Sequence, residues 1–276
     1  MKALLCVVLV AASSHAFADC KTSLPLQGVV SIKECDQRTG LCISGAKAVY
    51  DYSKKITDDE TVVTIALDAS PWRLYDKDKR ILSIEELADV VRPHIAKGTK
   101  HIVLIGSWTG VAPNPGGKSL AQKLSDSLKG FPVRGMDGFL WIAKDGALRT
   151  TRQAFTVRQD GNPYSIGEGD DVMVSLAAGW PAEEEAIFIK ERNADGILRA
   201  GVGWDLYFLC PDRALQAFDA AAKLSHPIAA YNAALMRLER GHKGDHEAAI
   251  ALLAQAVAAG DKKAQARLDK LKREGR

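Results

Sequence analysis

The feature that most restricts the fold of this chain is a self-similarity near its C-terminus. The run Ala220-Ala221-Ala222-Lys223-Leu224-Ser225-His226-Pro227-Ile228-Ala229-Ala230 recurs as Ala256-Val257-Ala258-Ala259-Gly260-Asp261-Lys262-Lys263-Ala264-Gln265-Ala266. The period is about 36 residues, the length of a helix pair. Between the copies lie Tyr231 to Gly241 and then Asp245, Ala248, Ile250, Leu252, Leu253 and Ala256 at helical spacing. One helix pair cannot bury its own apolar stripe; stacked pairs can. Only about one and a half repeats are present, so the array has to lean on what precedes it. Leu215, Phe218, Leu224, Tyr231 and Leu235 are the residues expected at that contact.

Upstream, the hydrophobic period changes. Thr61 to Leu67 and His101 to Ile105 are apolar, β-branched runs suited to strands buried on both faces. Between them Ser83 stands three residues before Glu86, a capping box, followed by Leu87, Val90, Val91 and Ile95, with Gly98 as the stop. A Gly/Pro-rich loop from Gly106 to Gly117 leads into a helix with Leu120, Leu124 and Leu128 on one face. Gly130 ends it, and Phe131-Pro132-Val133 starts a third strand. The order strand, helix, strand, helix, strand predicts an α/β fold, a mostly parallel sheet sandwiched by helices. Sites in such sheets form at the carboxyl ends of the strands, here the loops Asp68 to Trp72 and Gly106 to Gly110. Further on, Lys144-Asp145-Gly146 between two apolar runs predicts a hairpin. Asn193-Ala194-Asp195-Gly196, between Ala186–Lys190 and Ile197-Leu198, predicts a second. Residues 28–50 read as short strands with turns.

The N-terminus combines Lys2, an apolar run from Leu4 to Ala12 that is too short for a bilayer, and Ala16-Phe17-Ala18. This predicts a secretory signal over residues 1–18, cleaved after Ala18. Asp19 before Cys20 argues against lipidation. The expected location is therefore the periplasm, with no membrane insertion after cleavage. Cys20, Cys35, Cys42 and Cys210 remain, an even count that suggests disulfides in an oxidising compartment. Four cysteines allow three connectivities. The preferred one joins Cys35 to Cys42 across a polar turn and Cys20 to Cys210; free buried thiols are the alternative. The division expected is an α/β domain over 19–205, opening with that disulfide hairpin, and helical repeats over 211–276. The formal net charge is +3 with scattered Lys and Arg, which gives no footprint for nucleic acid.

Residues 212–274 resemble the Sel-one-like repeat, a relative of the tetratricopeptide repeat built from helix pairs. The resemblance rests on the period, the small Ala positions where helices cross, the Gly at the helix end and the acidic residue before the second helix. It implies a concave face for another protein; bracing of the α/β domain is the plainer reading. A second resemblance, over Thr61 to Leu148, is to caspase-like cysteine peptidase folds, in the runs Leu67-Asp68-Ala69-Ser70-Pro71 and Leu104-Ile105-Gly106-Ser107-Trp108-Thr109-Gly110. The resemblance implies a base histidine where Asp68 stands and a nucleophilic cysteine where Ser107 stands. A serine hydroxyl needs a base, and aspartate is a poor one unless burial raises its pKa strongly. The loss of both partners predicts a scaffold without catalysis; a histidine such as His94 or His101 reaching Ser107 would reverse that expectation.

Other motifs weigh less. Gly116-Gly117-Lys118-Ser119 has Ala112 where a phosphate-binding loop needs Gly. His226, His242 and His246 have no ligand set at metal spacing and read as exposed loop residues. Asp76 and Asp78 lack the calcium loop's final Glu, Leu87 being in its place. Neither cofactor nor metal is expected. Trp72, Arg73, Trp108, Thr109 and Tyr231 are the binding candidates, Trp72 and Trp108 as exposed loop contacts and Trp141 as core. The function expected is an exported protein-interaction module, an accessory or immunity protein. The alternatives are a serine-dependent hydrolase using Ser107 with Asp68, and a binder of a small ligand or cell-wall fragment.

Overall fold

The computed structural model describes residues 61–76, 78–142, 146–151, 173–174 and 181–274. Cys20, Cys35, Cys42, the signal segment and the short strands expected over 28–50 lie outside these residues. Strands β1 (Val62–Ala66), β5 (His101–Ile105) and β6 (Val133–Arg134) form a parallel sheet in the order β1-β5-β6. Strands β2 (Asp68–Ala69), β3 (Leu74–Tyr75) and β4 (Ile81–Leu82) form a small antiparallel meander.

Strands β1 and β5 are buried on both faces, as their largely apolar runs require, while β6 at the edge is half-buried. Val63, Ile65, Leu67, Ile102 and Leu104 point to one side, where helices α1 (Ile84–Val91) and α2 (Leu120–Ser127) place Leu87, Ala88, Val91, Leu120 and Leu124. Both helices open with a capping box, Ser83 with Glu86 and Ser119 with Gln122, so each first turn has its loose amides satisfied by side chains. Helix α1 stops at Val91, before the expected Ile95, because Pro93 has no amide to continue it; one 3-10 turn, Arg92–His94, follows.

The other face differs from the helical sandwich expected. Val62, Ala66, Val103 and Ile105 pack against Leu140 and Ile142 of β7 (Phe139–Ile142). That strand pairs antiparallel with β8 (Leu148–Thr151), the hairpin expected around Asp145-Gly146, and with β9 (Met173–Val174). Among the described residues the layers are thus helices, parallel sheet and antiparallel sheet. The strand order follows chain order, so crossovers of one hand put both helices on the same side.

The rest is a helical stack: α3 (Pro181–Lys190), α4 (Ala194–Leu206), α5 (Pro211–Lys223), α6 (Pro227–Arg240), α7 (Asp245–Ala258) and α8 (Lys262–Glu274). Each packs on the next, and the short connections turn the chain back on itself every time. The stack starts at Pro181, earlier than the Pro211 expected, and the second hairpin does not form. Ile187-Phe188-Ile189 is helical in spite of its β-prone residues. Asn193 acts as an N-cap, accepting from Gly196 N at 2.9 Å, where a turn was read. Gly196 permits the close crossing of α3 and α4: a Cβ there would lie 2.3 Å from Phe188 Cγ. Helix α4 is buried from Ile197 to Leu206 except at Arg199, because α3, α5 and the meander enclose it.

The contact expected between the C-terminal helices and the α/β part is present. Leu215 and Phe218 are buried with Tyr75 and Ile81, and Leu224 and Leu235 pack against the same cluster. Each large apolar side chain fully buried there contributes about 2–3 kcal/mol relative to exposure. No helix among the described residues is long and apolar enough to cross a membrane.

Candidate functional site: a groove between the meander and the helical stack

The strand ends come first. Leu67 N donates to Ile105 O at 2.9 Å, and Gly106 lets the loops meet: a Cβ on it would lie 2.8 Å from Leu67 O. Asp68 and Ser107 line one cavity of about 30 Å³, with Leu140, Ile142, Leu206 and Tyr207 around them. That volume holds on the order of one water molecule and no substrate. The Ser107 hydroxyl accepts from Leu140 N at 3.1 Å, its one hydrogen bond among the described residues. Asp68 is buried and paired with Lys79 Nζ at 2.7 Å.

Two amides of the loop, of the kind that serve an oxyanion, are already bonded: Trp108 N donates to Gly138 O at 2.9 Å and Gly110 N to Met136 O at 2.8 Å. Neither histidine approaches. His101 begins β5 at the end opposite Ser107, about 20 Å of extended strand away, and His94 is exposed beyond α1.

Two binding candidates are corrected here. Trp108 is fully buried, not an exposed contact. With φ at +64° it turns inward and meets Phe139 edge-on, ring centroids 5.1 Å apart. Thr109 is also fully buried. Its hydroxyl lies 2.9 Å from both Leu104 O and Gly106 O and accepts from Met136 N at 3.0 Å, so it fastens the loop to the sheet.

The β2–β3 turn is different. Asp205, fully buried on α4, accepts from three donors of the turn and its strand: Ser70 Oγ at 2.8 Å, Tyr75 Oη at 2.8 Å and Arg73 Nη1 at 2.7 Å. Arg73 Nη2 also pairs with Glu239 of α6 at 2.7 Å. Burial alone would make the Arg73 guanidinium easier to deprotonate, but Asp205 and Glu239 reverse that and hold it charged. Burial, and then Asp205, push the Tyr75 phenol well above its ordinary range.

A second joint lies at the β3–β4 turn. Asn232 of α6, fully buried, accepts from Ile81 N at 2.8 Å and donates to Lys79 O at 2.9 Å. Arg80 lies 4.7 Å over the Tyr231 ring and pairs with Asp261 at 2.6 Å. Burial tends to raise the Asp261 pKa, but the Arg80 hydrogen bond and the Ala264 amide outweigh it and hold the carboxyl below its ordinary range.

Between these joints opens a groove of about 560 Å³, a size suited to a peptide or small ligand. Trp72, Arg73 and Tyr231 all line it, so three of the five binding candidates meet there while Trp108 and Thr109 lie elsewhere. Leu82, Leu235 and Leu238 give it apolar surface. Glu85, Glu86 and Asp89 of α1 stand on one wall, and Arg267 and Lys270 of α8 on another.

The remaining motifs are used locally. Lys118 pairs with Asp126 at 2.6 Å. Asp76 accepts from Asp78 N and Arg80 N and shapes the turn. His226 is not an exposed loop residue: half-buried, it caps α6 by accepting from Ala229 N at 3.3 Å and contacts Asp195 at 2.8 Å. No cluster able to hold a metal is found among the described residues.

Sequence reading missed Asp205, Asn232 and Glu239. The first two carried a signal: Asp205 is the one charge in Gly201–Leu209, and Asn232 stands in a run of Ala. Each is a polar residue placed on a face that has to be buried, where it needs a partner. Cys210 is buried at the start of α5; its expected partner lies outside the described residues.

No curated protein and no solved structure matches the chain. Residues 38–150 match a family described as a domain of unknown function (DUF8616), a likeness that takes in the parallel sheet, the meander and α1 and α2 and leaves out the helical stack.

Proposed function

We propose that this protein is an exported, periplasmic interaction module that receives a segment of another protein in the groove between the meander and the helical stack. In this reading the α/β part is a peptidase-like scaffold without catalysis, the stack is a short Sel-one-like array, and the Cys35–Cys42 and Cys20–Cys210 disulfides belong to the exported form. An accessory or immunity role is the setting we favour.

The observation that carries the proposal is the groove itself: three binding candidates from two parts of the chain share one concavity of about 560 Å³. The geometry of Ser107 supports the non-catalytic part. Its hydroxyl is occupied by Leu140 N, and the cavity beside it is too small for a substrate.

The test is affinity purification of the tagged mature protein from the periplasm of its own host. Leu238→Arg places a charge on the apolar surface of the groove, and Lys97→Ala, on an exposed loop, is the control. The expected outcome is a partner retained by wild type and Lys97→Ala and lost by Leu238→Arg. Equal recovery with a folded Leu238→Arg variant would contradict the groove reading.

A further inference from the structure

One end of the groove holds hydrogen-bond donors that have no acceptor among the described residues. Tyr231 is only 3 % exposed, its ring held beneath Arg80, and its hydroxyl bonds to no described residue. Its hydroxyl is raised above its ordinary range by burial first and by Glu86 next, while Arg80 and Arg267 act the other way. Glu86 and Arg267 both line the groove, so the unpartnered hydroxyl is the end of Tyr231 that opens into it.

Arg267 is the second such group. It is half-buried on α8, its Nε–H is buried without an acceptor, and it forms no ion pair among the described residues. The neighbouring cations differ: Arg80 is tied to Asp261, Arg73 to Asp205 and Glu239, and Lys263 to Asp76. A guanidinium and a phenol that line the same groove can serve a carboxylate, since guanidinium–carboxylate bonds are charge-assisted and directional.

The rest of the lining selects among anions. Glu85, Glu86 and Asp89 face the groove from α1 and repel a multiply charged anion such as a phosphate group or a polyanion. Leu235 and Leu238 lie one and two turns along α6 from Tyr231, where an apolar side chain can rest beside the carboxylate.

We propose that Tyr231 and Arg267 form a subsite for the free C-terminal carboxylate of a peptide whose adjoining apolar side chain packs on Leu235 and Leu238. This rests on the groove reading above and narrows it to a chemical class. Capture of a chain terminus by a few fixed donors is an established mode of peptide recognition.

The test uses two pools of random tetrapeptides without Asp or Glu, one with free C-termini and one amidated, passed over the immobilised full-length mature protein. Retained peptides are identified by mass spectrometry and titrated calorimetrically. The expected outcome is retention of the free-acid pool, with affinity about tenfold or more lower for the amidated form and for the Tyr231→Phe and Arg267→Ala variants. Lys97→Ala is expected to bind like wild type.

Equal retention of both pools, lost in Leu238→Arg, would leave the groove reading standing and overturn the carboxylate subsite. Retention of free acids that is indifferent to Tyr231→Phe and Arg267→Ala would also overturn it. Retention of neither pool would count against the carboxylate subsite alone, because the purification from periplasm tests the groove separately.

Discussion

At the scale of single residues, the same side-chain types have opposite fates depending on what surrounds them. Ser107 and Ser70 are both strand-end serines. The first accepts one amide bond beside a water-sized cavity; the second donates to a buried carboxylate and accepts from Trp72 N and Arg73 N. Among the described residues no base bonds to Ser107, and the cavity beside it holds about one water molecule. A fluorophosphonate probe is expected to leave the protein unlabelled at Ser107 near neutral pH, and labelling that disappears in Ser107→Ala would overturn the proposed non-catalytic reading. Arg73 has the larger structural role. Its loss strands a fully buried Asp205, so Arg73→Ala is expected to cost about 3–5 kcal/mol of stability in urea denaturation. Arg73→Lys is expected to recover only part of this, because one ammonium cannot reproduce the fork that spans Asp205 and Glu239. Of the binding candidates, Trp72, Arg73 and Tyr231 line the groove, whereas Trp108 and Thr109 are buried away from it. Their places follow from the inward φ at Trp108 and the bonds of the Thr109 hydroxyl, which no local pattern encodes.

At the scale of elements, legibility tracks how local the deciding forces are. The capping box at Ser83, the β-branched runs of β1 and β5 and the hairpin pairing of β7 with β8 are specified by neighbours in sequence, and they are where the pattern puts them. Helices α3 and α4 were not legible because their local signals mislead. Ile187-Phe188-Ile189 is β-prone, and Asn193-Ala194-Asp195-Gly196 reads equally as a turn and as an N-cap. The choice is made by packing, through the Gly196–Phe188 crossing and the burial of α4 on several sides.

The junction of α6 and α7 gives a pH test at this scale. Arg240 donates to both carboxylate oxygens of Asp245, at 2.9 and 2.6 Å, and His242 N adds a third bond. Chiefly because of Arg240, with burial opposing, the Asp245 carboxyl is held well below the usual carboxylate range. A depressed folded-state pKa gives stability that is present above the unfolded-state value, about 4, and lost as pH falls toward the folded-state value. Asp245→Asn is thus expected to be less stable than wild type at neutral pH, with the gap shrinking below about pH 4 in thermal melts. A gap that stays constant on acidification would show that the pair is not set by charge.

At the scale of the whole molecule, the antiparallel meander and the helical stack are joined by polar groups that each satisfies for the other. Asp205 needs the donors of the β2–β3 turn, the backbone of the β3–β4 turn bonds to Asn232, and Tyr75 and Ile81 complete the core of the stack. Of the two readings the sequence left open, bracing is visible in the fold, since α4 and α5 bury the meander; α6 and α8 meanwhile turn Leu238 and Arg267 to the groove, where the proposed binding would take place. A concave site made by two units and lined by both signs of charge is the natural place for a partner segment. The most direct measurement is site-specific photo-crosslinking in the native host, with a photoreactive amino acid at Leu238 or Trp72 inside the groove and at Lys97 on the exposed loop as control. The account predicts a discrete protein adduct from the two groove positions and none from Lys97. Adducts of equal yield at Lys97, or none at either groove position with the folded protein present, would contradict it.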